Sequence, residues 1–162
     1  MNPLVGAALA AVAYESCVQW LEHVERADVY AIAESDAIRR GLPLIVVGCP
    51  KWGLWHGHGS ATLDIGHDQF WCRCPNPITA DLREVDREFK PKSVIIYSSH
   101  VLEHLVKEDA ERAVAAMNKV SVAQYHVFPN KFSLSGWLAP DHKCWPVVTE
   151  GSSLAFQEKR WP

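Results

Sequence analysis

The stretch SVIIYSSHVLEHL, residues 93–105, decides the fold class of this 162-residue chain. Its first half contains a row of β-branched and aromatic residues at 94–97, which is typical of a buried strand. Its second half opens a longer segment, 101–120, in which apolar residues recur at helical spacing. A strand that runs directly into a helix predicts one unit of an α/β domain.

The rest of the chain repeats this alternation of strands and helices. The apolar run Leu-Ile-Val-Val at 44–47 lies between Pro43 and Gly48 and predicts a second buried strand of a parallel sheet. Further strands are predicted at 61–65, 78–82 and 123–128, a helix at 22–40, and an antiparallel hairpin from 146–149 and 153–156. We therefore expect a three-layer α/β domain with a mostly parallel sheet and a C-terminal antiparallel hairpin.

The composition and charge of the chain indicate an ordinary globular domain and argue against a nucleic-acid-binding protein. Hydrophobic residues make up 48% of the chain and charged residues 22%, as in ordinary globular domains. The net charge of -3, with scattered lysines and arginines, predicts no nucleic-acid partner. The five cysteines are an odd number with no secretory signal before them, so we expect a reduced, cytoplasmic protein rather than a disulfide framework.

The N-terminal segment, residues 1–24, is expected to form a helix apart from the domain at 25–162. Residues 4–21 are rich in alanine and largely apolar, but Glu15 and Gln19 interrupt them. The charge-free part is shorter than the ~20 residues that span a bilayer. We therefore favour an amphipathic helix that packs on the domain or on a second subunit, which would make a homo-oligomer. Membrane contact through this helix is the less favoured alternative.

Polar residues follow the predicted strands at their carboxyl ends, where parallel sheets bind ligands. Gly48 lets a ligand approach the backbone closely, because glycine has no side chain. Asp64 can accept hydrogen bonds from a ribose diol, and Asp81 can hold an adenine amino group. Together with Ser-Ser-His at 98–100, these positions predict a site for a nucleoside ligand. The alternative is that both aspartates only stabilise turns or caps.

Two motifs resemble the class I S-adenosylmethionine (SAM) dependent methyltransferases, and most closely their small type 11 branch. Residues 80–85, ADLREV, and residues 93–105 are similar to the family pattern aDl…lpf…fD.i…shvLEHl in order and in approximate spacing. The resemblance covers residues 44–128 and is most specific in the His-Val-Leu-Glu-His element at 100–104. It implies a minimal Rossmann-like methyltransferase fold, SAM as cofactor, and methyl transfer to a small-molecule or surface-exposed acceptor.

The same resemblance implies which residues contact the cofactor. It places SAM against Gly48, Asp64 and Asp81, at the ends of the first three strands. The full set predicted to bind the cofactor comprises these and neighbouring strand-end residues: Gly48, Cys49, Asp64, Ile65, Asp81, Leu82 and Ser98.

The predicted catalytic group comes from two parts of the chain. The resemblance implies that Ser99 and His100 border the methyl group. The segment 129–145 follows the fifth strand, where this fold places its substrate cover, and contributes Asp141 and His142 as acid–base groups. The alternative for that segment is a capped loop with aromatic packing.

The loop after the first strand departs from the family's Gly-x-Gly-x-Gly turn. It reads Gly-Cys-Pro-Lys-Trp-Gly at 48–53, and the 16 residues from Gly48 to Asp64 are too few for a full helix and a strand. An alternative function is therefore a non-catalytic binding or assembly module that has lost the cofactor site.

Two groups of residues contain potential metal ligands, but neither predicts a metal site. His100 and His104 are spaced i,i+4, but no third ligand is near them in sequence, and the family resemblance assigns Glu103 and His104 to helix structure. A zinc-dependent function is the weakest hypothesis and rests on the residues of one loop: His56, His58, His67, Cys72 and Cys74. Their spacing matches no common zinc finger or ribbon, so a loop with partly buried thiols is preferred.

Overall fold

A computed structural model describes five parts of the chain: residues 3–48, 57–66, 74, 76–148 and 154–159. The helices are α1 (Pro3–Arg40), α2 (Lys107–Val120) and α3 (Leu134–Leu138), with short 3-10 helices at Leu82–Arg87 and Leu102–His104. The strands are β1 (Leu44–Val47), β2 (Ala61–Asp64), β3 (Pro77–Thr79), β4 (Val94–Ser99), β5 (Ser121–Val127), β6 (Cys144–Val148) and β7 (Leu154–Glu158).

Five of these strands form one parallel sheet in the order β3-β2-β1-β4-β5. The order reverses beside β1, because the chain adds β2 and β3 on one side of it and β4 and β5 on the other. Strands β6 and β7 pair with each other, antiparallel, in a separate two-stranded sheet. The predictions of an α/β fold, a mostly parallel sheet and a C-terminal antiparallel hairpin are therefore confirmed.

Both faces of the parallel sheet are covered. On one face α1 packs against alternate residues of β1 and β4, in a cluster that includes Tyr30, Ala33, Ala37, Leu44, Val46, Ile95 and Tyr97. On the other face α2 and the hairpin pack against the intervening residues, in a cluster that includes Ile45, Val47, Val94, Ile96, Ala113, Met117 and Phe156. Because successive strand residues point to opposite faces, burial of both faces requires the continuous apolar runs seen in the sequence.

The helix predicted at 101–120 begins later than expected, which corrects that prediction. Residues Leu102–His104 form a separate 3-10 turn, and α2 starts only at Lys107. The interruption allows two consecutive side chains, Leu102 and Glu103, to be fully buried. In a continuous surface helix, successive side chains point about 100° apart, so burying both would be harder.

α1 is a single helix of 38 residues and runs without a break across the boundary expected at residue 24. No glycine or proline lies between Gly6 and Gly41, so nothing in the sequence interrupts it. Its second half packs on the sheet, whereas large apolar side chains of its first half, such as Leu4 and Val12, are exposed. Part of α1 is long and apolar enough to cross a membrane, a property that core helices and signal sequences share and that by itself assigns no location.

The first half of α1 contacts the domain at the start of α3. The Glu15 carboxylate accepts hydrogen bonds from the amides of Leu134 (2.9 Å) and Ser135 (3.1 Å) and from the Ser133 hydroxyl (2.9 Å). Burial pushes the pKa of Glu15 upward, but these hydrogen bonds outweigh that effect and lower the pKa to about 2. The ionised carboxylate therefore ties α1 to α3.

We expect the free energy of unfolding of Glu15→Gln to depend less on pH in the acid range than that of the wild type. Because folding lowers the pKa of this carboxyl from 4.5 to about 2, its stabilisation is present above pH 4.5 and is lost as the pH falls towards 2. Urea denaturation at several pH values across this window measures the effect. The wild type should lose more stability than Glu15→Gln, and Glu25→Gln, which removes an exposed carboxylate of the same helix, should follow the wild type. If Glu15→Gln loses stability as steeply as the wild type when the pH falls, the proposed role of the Glu15 carboxylate in holding α1 against α3 is contradicted.

Candidate functional site

A cavity of about 190 Å³ lies at the carboxyl ends of β1 and β2, beside the point where the strand order reverses. Its lining includes backbone, polar and apolar groups from three strand ends and the turn after β4: Gly48, Asp64, Ile65, Asp81, Leu82 and Val101. In parallel sheets ligands bind at this edge, because the loops that follow adjacent strands diverge there and leave a crevice.

Gly48 ends β1 in a conformation that requires glycine. Its φ is +86°, and a Cβ atom placed on it would lie 2.6 Å from Cγ2 of Val101. Its amide donates a hydrogen bond to the carbonyl of Leu63 on β2, at 2.9 Å. The strand therefore ends in a tight turn with bare backbone at the edge of the cavity.

The two aspartates on the cavity wall are held in different ways. Oδ1 of Asp64 accepts a hydrogen bond from the Gly66 amide at 2.8 Å, which fixes the turn after β2. Asp81 accepts from Nε of Arg83 at 2.9 and 3.0 Å, and Arg83 also reaches Asp109 at 2.7 Å. The hydrogen bond from Arg83 holds the pKa of Asp81 below its usual value. A ligand amino group at Asp81 would therefore compete with an existing ion pair.

Five of the seven residues predicted to bind the cofactor line this one cavity: Gly48, Asp64, Ile65, Asp81 and Leu82. Ser98 does not line it, because its buried hydroxyl lies 2.7 Å from Nδ1 of His126 on β5. Ser98 is expected at the carboxyl end of its strand, whereas β4 continues to Ser99, and Ser98 therefore remains inside the sheet. Cys49 lies outside the described residues.

His100 follows β4 directly after Ser99, and contacts from α1 and the next turn hold its ring. Its φ is +54°, a conformation that residues with a Cβ atom adopt rarely. Its Nε2 lies 2.9 Å from Nη2 of Arg26, and its Nδ1 lies 3.6 Å from the Glu103 carboxylate. Because a guanidinium only donates hydrogen bonds, Nε2 is the acceptor, and a neutral ring carries its proton on Nδ1, towards Glu103.

Two buried carboxylates that the sequence does not predict lie beside His100. Glu22 is 2% exposed and accepts hydrogen bonds from the Asn130 amide (2.7 Å) and from Arg26 (3.3 Å). Glu103 is 0% exposed. Burial raises the pKa of Glu22, and it raises the pKa of Glu103 to about 8. The only signal in the sequence is the i,i+4 spacing of Glu22 and Arg26, which is equally typical of a solvent-exposed pair.

Asp141 and His142 lie in the turn before β6 and come next to His104, not next to His100. Oδ2 of Asp141 is 3.3 Å from Nδ1 of His104, and the rings of His104 and His142 are 5.0 Å apart. His142 is buried, and its Nδ1 donates to the Gly136 carbonyl at 3.0 Å. Burial lowers the pKa of His142, so the ring is neutral at pH 7. Glu103 lies between His100 and the group formed by His104 and His142. The 3-10 turn separates His100 from His104, which a continuous helix would have placed on one face.

A second, larger cavity of about 560 Å³ lies between the segment after β5 and the hairpin. Its lining includes Trp137 and Trp145, whose rings are 5.3 Å apart, together with Lys131 and Glu158. The segment predicted as a substrate cover therefore forms an aromatic wall. None of the described residues predicted to bind the cofactor lines this cavity.

No protein-family model, curated protein or solved structure matches this chain. Its function is therefore inferred from the residues of the site and from the topology that places them. Of the residues considered as zinc ligands, His56, His67 and Cys72 lie outside the described residues.

Proposed function

We propose that this chain is a minimal SAM-dependent methyltransferase with a Rossmann-like fold, acting on a small-molecule or surface-exposed acceptor. The observation that carries the proposal is the convergence of Gly48, Asp64 and Asp81 on one cavity, although 33 positions separate the first from the last. The strand order also supports it, since α/β sheets bind nucleotides where the order reverses.

The residues of the cavity fit the adenosyl part of the cofactor. The bare backbone at Gly48 allows a close approach, and the Asp64 carboxylate can accept hydrogen bonds from ribose hydroxyls. The apolar side chains of Leu63, Val101 and Leu105 offer surface for the flat face of a purine. When bound, SAM supplies a sulfonium methyl group, which passes to a lone pair of the acceptor while the carbon–sulfur bonding electrons stay on sulfur, giving S-adenosylhomocysteine.

Ser99 and His100 form the acceptor side of the proposal. Ser99 ends β4 and His100 follows it, and β4 lies next to β1 in the sheet, so both residues share the edge at which the cavity opens. The contact with Arg26 holds the ring of His100, which restricts where an acceptor can lie. Asp141 and His142, predicted as further acid–base groups, instead lie with His104 and Glu103.

A second candidate function is a binding or assembly module without cofactor, and the size of the cavity favours it. Ligand pockets commonly have volumes of about 300–1,000 Å³. The cavity formed by the described residues, at about 190 Å³, holds a fragment of such a ligand. The exposed apolar residues in the first half of α1 offer a surface for a second subunit.

Calorimetric titration of the chain with SAM and S-adenosylhomocysteine distinguishes the two functions. We expect saturable binding with micromolar affinity in the wild type. Asp64→Ala should lose hydrogen bonds to the ribose and bind about 5- to 150-fold more weakly, which corresponds to ~1–3 kcal/mol. Asp28→Ala, which removes an exposed carboxylate of α1, should bind as the wild type does. Absence of binding by the folded wild type contradicts the methyltransferase proposal and favours the assembly module, and unchanged affinity in Asp64→Ala contradicts the ribose assignment.

A further inference from the structure

We propose that Glu103, His104 and His142 form a binding site for one divalent metal ion, and that the ion is Zn²⁺. One ligand atom from each of the three side chains lies within 4.8 Å of the other two. Two segments bring them together, the 3-10 turn after β4 and the turn before β6. The Lys143 amide donates a hydrogen bond to the Glu103 carbonyl at 2.6 Å and so holds the two segments against each other.

The Glu103 carboxylate is the first observation that points to a cation. It is fully buried, and neither of its oxygens has a hydrogen-bond partner among the residues that the structure describes. Nδ1 of His100 lies 3.6 Å from the Glu103 carboxylate, beyond hydrogen-bond distance. Burying an ionised carboxylate without hydrogen bonds is costly, so a buried carboxyl group is normally neutral, paired with a cation or bound to metal. A divalent ion would compensate this carboxylate.

The two histidines are held as metal ligands usually are. Nδ1 of His142 donates to the Gly136 carbonyl at 3.0 Å, and Nδ1 of His104 lies 3.3 Å from the Asp141 carboxylate. Histidines that bind metal commonly use their other ring nitrogen in this way, because the contact fixes the ring and its tautomer. In both residues Nε2 is the nitrogen that remains for an ion.

The chemistry of the three ligand side chains indicates which metal ion binds. Two imidazoles and one carboxylate are a common set for zinc sites that keep a fourth position open for water or another ligand. Zinc holds nitrogen and oxygen ligands at about 2.0–2.2 Å, so shifts of about an ångström bring three atoms at the present spacing onto one ion. The side chain of His104 is 40% exposed, which gives an ion a route from solvent.

The test is zinc binding by the whole chain, first stripped with a chelator. We expect calorimetry and elemental mass spectrometry to show a zinc site that Glu103→Gln, His104→Gln and His142→Gln each weaken at least 100-fold. His23→Gln, which changes a histidine outside the cluster, should bind zinc as the wild type does. Circular dichroism establishes that each variant is folded. If Glu103→Gln or His142→Gln does not fold, His104→Gln still tests the site, because the side chain of His104 is partly exposed.

A second pair of variants separates this site from the cysteine-containing loop. The double variant Cys72→Ser, Cys74→Ser should keep the zinc site intact. Loss of zinc in that variant, with unchanged binding in His104→Gln, overturns the proposal. So does the absence of stoichiometric zinc binding by the folded wild type. Because zinc binding needs no SAM, either result leaves the methyltransferase proposal to its own test.

Discussion

Replacing Tyr97 by alanine should lower the free energy of unfolding by about 3–5 kcal/mol. Tyr97 lies in β4 at the centre of the sheet and is 0% exposed. Its ring meets that of Tyr30 edge-on, at 5.3 Å, and its hydroxyl donates to the carbonyl of Arg26 at 3.2 Å. Both partners belong to α1, so this side chain packs the long helix against the centre of the sheet.

Urea denaturation of matched variants checks this expectation. Tyr97→Phe keeps the ring and loses the hydroxyl with its hydrogen bond to the Arg26 carbonyl, so we expect it to cost about 0.5–1.5 kcal/mol. A cost below about 1 kcal/mol for Tyr97→Ala would mean that α1 does not pack on this face of the sheet, since a large buried ring cannot be removed so cheaply.

Replacing Gly59 by alanine should also destabilise the fold strongly, by about 3 kcal/mol or more. Its φ is +57°, and a Cβ atom placed on it would lie 2.5 Å from the carbonyl oxygen of Leu44, which belongs to the backbone and cannot rotate away. The next residue donates its amide to the same oxygen, at 2.8 Å, in the contact that sets β2 beside β1. The substitution therefore disturbs the pair of strands whose ends form the cavity.

Gly41→Ala is the matched control for Gly59→Ala. Gly41 has nearly the same backbone angle, with φ of +64°, but no atom lies within 4 Å of the Cβ position. We expect a cost of about 1 kcal/mol, which is that of the left-handed conformation alone. Equal costs in the two variants, measured by urea denaturation, would contradict the close approach at Gly59.

The strands could be predicted because their signal is local. Leu44–Val47 has the predicted bounds, since an apolar run between proline and glycine leaves little room for another assignment. The break at Leu102–His104 could not be predicted in the same way, because Glu103 falls at a polar position of a regular helical pattern. The hydrogen bond that holds this turn in place comes from the amide of Lys143, which lies 40 positions further along the chain.

The candidate site likewise contains residues that could be predicted from the sequence and residues that could not. Gly48 and Asp64 could be predicted because topology alone places the carboxyl ends of parallel strands at one edge. The environment of His100 could not, since Arg26 lies 74 positions earlier in the chain and no local pattern links the two residues. The group around Glu103 likewise depends on contacts between two distant turns, for which a single sequence carries no signal.

The most direct test of the cofactor site is chemical-shift mapping of the nitrogen-15-labelled chain with S-adenosylhomocysteine. We expect saturable shifts of the amides that line the strand-end cavity, foremost Gly48, Ile65 and Leu82. The absence of any shift at millimolar ligand would contradict this expectation. So would shifts confined to the aromatic cavity, at the amides of Trp137 and Gln157.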